Sequence, residues 1–470
     1  MGSLFSALNS AASGLEAFQQ AVDVTQSNVT NANSAGYAEQ VPVLESVNYQ
    51  GDGFGGGVVE KTQSQQNSYA DTALQQQLSL LGTYQQLQTS LAPLQNVFDV
   101  SSDSAIPTAL NQLFQSFSQW STQPSDATYQ TAVISAAQQT ATAFQQAASQ
   151  LGSIASGVNQ DLQSTVAEIN QDAAQIQSYN VTVGQESNPD PGSQAQLEST
   201  LENLSNLANV QVIPGLANTV TVLLGGQTPL VVGDQVNQIQ VQSAPSNGQN
   251  GPPNSIIVDS QGNDITNQVT SGSLSGLLTV ANNVLPSLAG GGSQTGGLNT
   301  LAQNVADTIN NLLEQGSTTS TPPFQPGVAM FTYNANSPTG VASSLSVNPA
   351  LTPSQLAATA PGPPVASNGI ALQLSALANA ANPQLGGLSF TQYFGTLVSQ
   401  VGNAVSNATT AASTQTQLVA QAKNLQQQLS GVNLDEEAIR LVQLQSSYQA
   451  SSKVVTVIDE LTQTLINMVS

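Results

Sequence analysis

The sequence lacks two residue types on which many catalytic and metal-binding sites depend. Its 470 residues include no cysteine and no histidine. Their absence excludes disulfides, thiol nucleophiles, zinc fingers, triads that contain His and metal sites with His ligands. We therefore predict that the chain is not an enzyme, with no catalytic residues, no cofactor and no metal.

Positive charge is almost as scarce. The four basic residues are Lys61, Lys423, Arg440 and Lys453, and the net charge is −23. Charged residues make up 7% of the chain, against roughly 25% in ordinary globular proteins. Because so few scattered cations cannot form a basic patch, we predict no nucleic-acid partner and no binding to an anionic membrane. Interfaces must then depend on apolar packing and hydrogen bonds, which would suit an acidic exterior.

Long apolar segments are also missing. No run approaches the roughly 18 residues that a membrane-spanning helix requires. The N-terminal segment contains Glu16 and Asp23 and has no basic region before an apolar core, so it does not read as a Sec-type signal peptide. If the protein is exported, we expect the export route to recognise something other than a cleaved signal.

What the sequence does contain is a pair of apolar stripes near its two ends. Both follow the 3.5-residue repeat that lines one side of a coiled-coil helix. The N-terminal stripe comprises Leu4, Leu8, Ala11, Leu15, Phe18, Val22, Thr25 and Val29. The C-terminal stripe comprises Leu434, Leu441, Leu444, Tyr448, Val455, Ile458, Leu465 and Val469. The stripes indicate that the chain ends pair with each other or with other copies, as in a polymer subunit.

Between the stripes, helical spacing alternates with strand spacing. Helices are predicted over 3–33, 63–98, 105–119, 126–180, 193–208, 274–289, 296–315, 367–379, 388–430 and from 434 onward. Strands are predicted within 209–270 and at 330–333 and 345–347. Pro93 is expected to kink or end its helix, Trp120 is expected in the core, and the glycine-rich segment 51–57 is expected to be a flexible connector.

These elements predict a fold that is mainly α with β-rich insertions, in an elongated subunit with nested domains. The long helix at 126–180 would extend about 80 Å at roughly 1.5 Å per residue, too far for one compact core. Residues 1–60 and 400–470 would form a terminal coiled-coil assembly domain. A helical bundle would comprise 61–208, 271–320 and 366–399, and a small outer β-rich domain would comprise 209–270 and 321–365.

Two motifs delimit the terminal helices. The first is a helix stop that consists of Asn28, Asn31, Asn33, Gly36 and Tyr37, where Asn and Gly favour the left-handed backbone that ends a helix. The second begins at Asn433, a predicted N-cap, with Glu436 reaching back in a capping box. Arg440 is expected to pair with Glu436 or Glu437. Ordinary helix capping is the simplest explanation of each motif when it is taken alone.

Taken together, the motifs resemble the signatures of the flagellar axial family of rod, hook and hook-associated proteins. The stop motif at 28–37, the segment 433–453 and the β segment 210–233 are similar to the hook-associated members above all. The sequence departs from the family at Glu39, because members often have a basic residue just after the Gly-Tyr pair. The case for a family-type interface salt bridge at that position is correspondingly weaker.

The resemblance implies a structural subunit at the junction of hook and filament, secreted through the flagellar type III apparatus. It implies a ring of copies of the chain, hook protein on the proximal side and hook-associated protein 3 on the distal side. It further implies an export chaperone at the C-terminal helix. The terminal helices are expected to stay mobile until neighbouring subunits bury their stripes, which would couple folding to assembly.

Two alternatives remain open. The chain could be a hook or distal rod protein, although the long helix at 126–180 counts against that interpretation. It could also be a secreted coiled-coil adhesin unrelated to flagella, whose stripes associate with one another.

Overall fold

The computed structural model describes residues 2–47, 57–99, 105–185, 190–244 and 251–469. Most of the predicted connector at 51–57 lies outside these residues. The helices are α1 (Gly2–Asn31), α2 (Ser68–Val97), α3 (Ile106–Thr122), α4 (Ala127–Val183), α5 (Pro191–Leu207), α6 (Ser273–Thr279), α7 (Leu285–Ala289), α8 (Gly297–Gln315), α9 (Val341–Ser344), α10 (Gly369–Ala376), α11 (Phe390–Ser430) and α12 (Leu434–Val469). The strands are β1 (Gln40–Val47), β2 (Gly57–Ser64), β3 (Val210–Pro214), β4 (Val220–Leu224), β5 (Thr228–Val232), β6 (Gln235–Val236), β7 (Gln240–Ser243), β8 (Ser255–Val258), β9 (Phe331–Thr332) and β10 (Ser346–Val347).

The long helix predicted at 126–180 is confirmed as α4, which has 57 residues. At about 1.5 Å per residue it is about 85 Å long. Asp126 caps it by accepting a hydrogen bond from the backbone N–H of Thr128 at 2.7 Å. The predicted apolar row is buried at several points along the helix, as at Phe144, Leu162 and Ile169, because α3, α5 and the β strands pack against it.

Of the two outcomes predicted for Pro93, a kink or a helix end, the helix end does not occur at the proline, because α2 continues through Pro93 to Val97. Proline removes a single backbone hydrogen bond, and here it does so near the end of the helix. The flanking side chains of Leu91 and Leu94 are 3% and 0% exposed. Their packing, together with the contact of α2 along α11, holds the last turn in place.

The predicted strands are also confirmed, and they lie against the long helix. Strands β3 to β6 form an antiparallel meander, and β7 pairs with β8. The side-chain amide of Asn180 on α4 donates to the carbonyls of Val220 and Gly233 at 2.8 and 2.9 Å, and its oxygen accepts from the N–H of Val220. The β9–β10 pair contacts α8 and α4. Buried amides on helices thus satisfy strand ends that would otherwise be unpaired.

The helical bundle and the strands share one continuous apolar core. It extends from α2 and α3 through α4 and the strands to α8, α10 and the first half of α11. Trp120 is 0% exposed, as predicted for a core residue, and its indole N–H donates to the carbonyl of Pro124 at 3.0 Å. Because α11 is one helix from Phe390 to Ser430, it crosses the predicted domain boundary at 399/400, and the domain division itself stays a prediction.

The two chain ends pair with each other. Helix α12 packs along α1 in antiparallel orientation, since Asn28 near the end of α1 contacts Glu437 near the start of α12, and the β1–β2 hairpin also packs on α1. This pairing is the first of the two arrangements that the apolar stripes predict, in which the chain ends pair with each other. The link at residues 431–433 between α11 and α12 lies beside the start of β1, next to the end of the bundle.

Candidate assembly interface

The buried row of α1 differs from the row that its large apolar residues predict. Fully buried positions are the small or polar residues Ala17, Ala21, Thr25 and Asn28, all at 0–2% exposure. Among the predicted residues Val22 and Thr25 are buried, Val29 is 43% exposed, and Leu8, Ala11, Leu15 and Phe18 are half-buried; the side chain of Leu4 lies outside the described residues. Small side chains let α12 and the hairpin approach closely. Steps of four, four and three residues separate Ala17, Ala21, Thr25 and Asn28, and the sequence interpretation missed the first two members of this row.

The C-terminal row is covered only in part. Leu441, Leu444, Tyr448, Val455 and Ile458 are half-buried, whereas Leu434 and Leu465 are 50% and 45% exposed. The side chain of Val469 lies outside the described residues. A shallow groove of about 400 Å³ runs between the helices, lined by Ala12, Leu15, Glu16, Gln19, Gln20, Tyr448 and Val455. Any role of these residues in contacts between copies stays a prediction.

Asn28 is the centre of a buried polar hub that ties the two ends together. Its side-chain amide donates to the Gln40 carbonyl at 2.8 Å and to the Glu437 carboxylate at 3.0 Å. Its oxygen accepts from the Tyr37 hydroxyl at 2.9 Å and from the Gln40 N–H at 3.0 Å. All the hydrogen-bonding positions of one side chain are thus used to join α1, β1 and α12.

An ion pair extends this polar hub. Arg440 contacts the carboxylate of Glu39 at 2.9 Å and also that of Glu437, whose side chain is fully buried. Burial raises the pKa of the Glu437 carboxyl, while the hydrogen bond from Asn28 and the charge of Arg440 oppose that rise. Glu39, which departs from the family pattern, therefore has its cationic partner within the same chain. Arg440 pairs with Glu437 as predicted, and forms no ion pair with Glu436 among the described residues.

The rest of the stop motif connects this region to the bundle. Asn31 donates to the carbonyl of Ser27 at 3.0 Å, and Asn33 is exposed. Gly36 adopts a positive φ of 73°, and a Cβ there would lie 2.5 Å from the carbonyl oxygen of Ala195 on α5. Only glycine allows both this backbone conformation and this close approach.

The start of α12 is capped, but not by the reciprocal box that the sequence predicts. The Asn433 side-chain oxygen accepts from the N–H of Asp435 at 3.1 Å. The Glu436 carboxylate accepts from the Asn433 side-chain amide at 3.3 Å instead of from its backbone N–H. Just before this cap, the Ser430 carbonyl accepts from the N–H of Glu39 at 2.8 Å, which fixes the link between α11 and α12 against the start of β1.

A second apolar row on α12 faces solvent, and the sequence interpretation missed it. Its members are more than half exposed or nearly so: Ile439 60%, Val442 63%, Val454 50%, Val457 53%, Leu461 53% and Met468 78%. They recur at helical spacing on the side away from the row that faces α1. Two apolar rows on one helix are typical of a helix with partners on two sides.

The described residues provide neither a metal-binding group nor a membrane-spanning helix. Among them there is no group of three or more acidic side chains placed to hold a metal ion. In the same ranges, every helix is too short or too polar to cross a lipid bilayer. The candidate interface is therefore the α1–α12 pair with its polar hub and its exposed row.

Comparison with known proteins identifies the family to which this architecture belongs. The family model described as "Flagellar hook-associated protein FlgK helical domain" matches residues 91–331, more than half of the chain. The chain belongs to this family of FlgK hook-associated proteins. Two further models, for the flagella basal body rod protein and for the C-terminal part of the FlgEFG rod proteins, match residues 8–37 and 425–468. These segments contain most of α1 with its stop motif and most of α12.

Individual relatives agree with the FlgK assignment. Flagellar hook-associated protein 1 of Bacillus subtilis is 25% identical over 99% of both chains. Flagellar hook-associated protein 1 of Escherichia coli is 39% identical over 83 residues, which cover 18% of this chain and 15% of that protein. The flagellar hook junction protein FlgK of Burkholderia pseudomallei has the same fold, with a TM-score of 0.64, 18% identity and coverage of 75% of this chain and 99% of that one. The chain is thus a structural component of the bacterial flagellum.

Proposed function

We propose that the chain forms the junction between hook and filament, as a ring of copies that pack through the terminal helix pair. The exposed apolar row of α12 carries the proposal. It presents Val442, Val457, Leu461 and further apolar residues to solvent in the single chain, although the bundle buries its own apolar residues efficiently. Contiguous exposed apolar surface of this kind marks an interaction site.

The composition of the chain supports packing of this kind. With four basic residues in 470, salt bridges can contribute little between copies. Burial of apolar surface yields about 25 cal/mol for each Å² removed from water, and it needs no charged partner. The half-buried row beside α1 and the exposed row on the other side of α12 would allow each helix pair to contact its neighbours on either side.

Assembly and folding would be coupled at the terminal helices. Glu437 is the one fully buried side chain among those that the structure describes in α12, so tertiary packing within the chain does little to stabilise the rest of this helix. We expect rapid hydrogen exchange in residues 1–45 and 425–470 of the monomer, slowest around the Asn28 hub. Strong protection throughout both segments before assembly would contradict coupled folding.

Membership of the family supports a proposal for the position and partners of the subunit. We place the subunit outside the cell at the hook–filament junction, with hook protein on the proximal side and hook-associated protein 3 on the distal side. Export would use the flagellar type III route, with a chaperone at the C-terminal helix. The role is structural, and we assign no catalytic activity to it.

Matched double variants test the interface directly. Val457→Glu with Leu461→Glu places two charges in the exposed row, whereas Ser452→Glu with Gln463→Glu places the same charges elsewhere on the exposed surface of α12. We expect the first pair to block polymerisation and motility while the second pair leaves both intact. Equal behaviour of the two double variants would refute the role of this row.

Deletion separates the junction from its alternatives. Removal of residues 1–40 or 440–470 should leave hooks without filaments and release flagellin as monomers, visible by electron microscopy and in the culture medium. Loss of the hooks themselves would instead indicate a hook or rod protein. Normal filaments would indicate an adhesin outside the flagellar axis.

A further inference from the structure

A second cluster of buried polar groups lies where the terminal helices meet the bundle. Six segment ends converge there: the ends of α1, β2 and α11 and the starts of β1, α2 and α12. Direct contacts join them, since the Ser430 hydroxyl accepts from the N–H of Asn67 at 3.0 Å, and Gly36 lies against Ala195 and Glu198 of α5. Any change in this cluster therefore acts on the connection between the two regions.

Three carboxylates lie at this position, those of Asp71 on α2 and of Glu198 and Glu202 on α5. Asp71 of α2 and Glu198 of α5 are 7% and 8% exposed. Gln426 of α11 donates to one oxygen of Asp71 at 2.8 Å, and Gln66 donates to Glu198. The other oxygen of Asp71 is buried and has no hydrogen-bond partner. A buried carboxylate oxygen without a donor is costly when it is charged, so burial favours the protonated carboxyl.

The surroundings supply little positive charge. Burial, together with the charge of Asp71, raises the pKa of Glu198 to about 7, against the hydrogen bond from Gln66. Burial also raises the pKa of Asp71 and of Glu202, although Lys423 of α11 opposes the rise at Glu202. Tyr179 of α4 also interacts with Glu198. The adjoining cleft of about 820 Å³ has no Lys or Arg in its lining, and its titratable groups are Asp23, Tyr37, Asp71, Tyr179, Asp190 and Glu198.

We propose that Asp71, Glu198 and Glu202 form a proton-sensitive joint between the terminal helix pair and the bundle. With a proton held among these carboxylates, α2, α5 and α11 pack closely and the Gly36 turn rests on α5. When all three carboxylates are ionised, their mutual repulsion separates α2 from α5. This separation weakens the contact between the Gly36 turn and α5. A metal ion is not needed for this role, and the described residues form no acidic group suited to one.

The direction of the effect follows from the carboxylate pKa values. For Glu198 the folded-state pKa of about 7 lies above the ordinary value of 4.5 for a glutamate carboxyl. The folded chain therefore binds this proton more tightly than the unfolded chain does. The resulting stabilisation is fully present below about pH 4.5 and is lost as the pH rises through about 7. Acid tightens the joint, and mild alkali loosens it.

Spin labels can measure this motion in the full-length chain. Since the sequence has no cysteine, Ser406→Cys on α11 and Ser446→Cys on α12 introduce a unique pair of exposed labelling sites. We expect the distance distribution between the labels to be narrow at pH 5.5 and broader, with a shifted mean, at pH 8.5. The Glu198→Gln variant, which cannot ionise, should keep the narrow distribution at both pH values.

Two further variants keep the test decisive. Asp71→Asn should reduce the broadening by a separate route if Glu198→Gln folds poorly. Asp172→Asn removes a buried carboxylate of α4 that accepts from Asn203 of α5 and is not one of the three carboxylates of the joint, and this variant should broaden with pH as the parent chain does. An unchanged distribution in the parent chain, or equal broadening in Glu198→Gln, would overturn the proposal. Loss of broadening in Asp172→Asn would also overturn it, because the response would then be a general effect of bundle stability.

Discussion

The bundle and the terminal region bury different kinds of side chain. In the bundle, Phe117, Trp120 and Phe144 are 0% exposed and belong to one continuous apolar core. In the terminal region, the polar residues Asn28 and Glu437 are equally buried, and the apolar rows are half-buried or exposed. The bundle is thus stabilised by apolar burial that a single chain completes, whereas the terminal pair is aligned by hydrogen bonds and keeps apolar surface available.

The two kinds of contact contribute differently, apolar burial mainly to stability and the hydrogen-bond network mainly to the specificity of the helix alignment. Apolar contacts are non-directional and contribute in proportion to buried area. A buried hydrogen-bond network contributes little net free energy, but it permits a single alignment, because any slip leaves polar groups unsatisfied. A helix pair that must present its rows in one register to neighbouring copies benefits from the second kind of contact. Four predictions test this comparison, from the largest expected effect to the smallest.

Removing a core aromatic should destabilise the bundle most. Phe117→Ala deletes a fully buried ring that lies 6.5 Å from Phe114, and such truncations cost about 3–5 kcal/mol. Fluorescence of the single tryptophan, which lies in the bundle, reports the urea midpoint. Tyr69→Ala, at a side chain 76% exposed, is the control and should shift the midpoint little.

Removing the polar hub should affect the terminal region alone. Asn28→Ala leaves the Gln40 N–H without its partner and removes one of the two partners of the Glu437 carboxylate, which keeps Arg440; the change should cost about 2–3 kcal/mol. Hydrogen exchange should accelerate in α1 and the first half of α12, with no change in the tryptophan midpoint. Asn33→Ala, at an exposed residue of the same motif, is the matched control. A bundle midpoint lowered as far as in Phe117→Ala would show that the two regions unfold together.

A single buried carboxylate should make the bundle sensitive to pH. Burial raises the pKa of Asp172 to about 6 from 3.8, against the hydrogen bond from Asn203 and with the charge of Glu168 adding to the rise. The folded state binds this proton more tightly, so its stabilisation is full below about pH 3.8 and is lost as the pH rises through about 6. Asp172→Asn should flatten the stability profile in this window by on the order of 1–2 kcal/mol. Glu314→Gln, at an exposed carboxylate of α8, should leave the profile unchanged.

Changing the exposed row should scarcely affect the single chain. Val457→Ser alters a side chain that is 53% exposed, so the midpoint of monomer unfolding should stay within about 0.5 kcal/mol of the parent value. Polymerisation should nevertheless require a higher protein concentration, measured by sedimentation of assembled material. A large loss of monomer stability would show instead that this row packs within the chain.

Apolar periodicity and capping residues in the sequence predicted most of the helices and strands. They did not predict which face of each terminal helix is buried. The row from Phe144 to Ile176 predicted α4 almost to its ends, because Asp126 is a strong cap and the apolar spacing does not slip. The stop motif likewise marked the end of α1, and Asn433 marked the start of α12. The polar hub was not predictable, because its members are Asn28, Gln40 and Glu437, residue types that are usually exposed. The capping box at Glu436 was wrong because the side chain of Asn433 offered a competing partner.

By itself, the sequence determined most of the secondary structure and the family. It also determined that catalysis and metal binding that depend on Cys or His are excluded. The absence of Cys and His, the heptad rows and the two motifs are local properties, and local spacing decides where helices begin and end. Only the tertiary structure decided that α12 packs along α1, that small residues form the buried row of α1 and that Asp71 and Glu198 line the same cleft. These pairings join residues far apart in the chain, and close packing selects among the faces that periodicity leaves open.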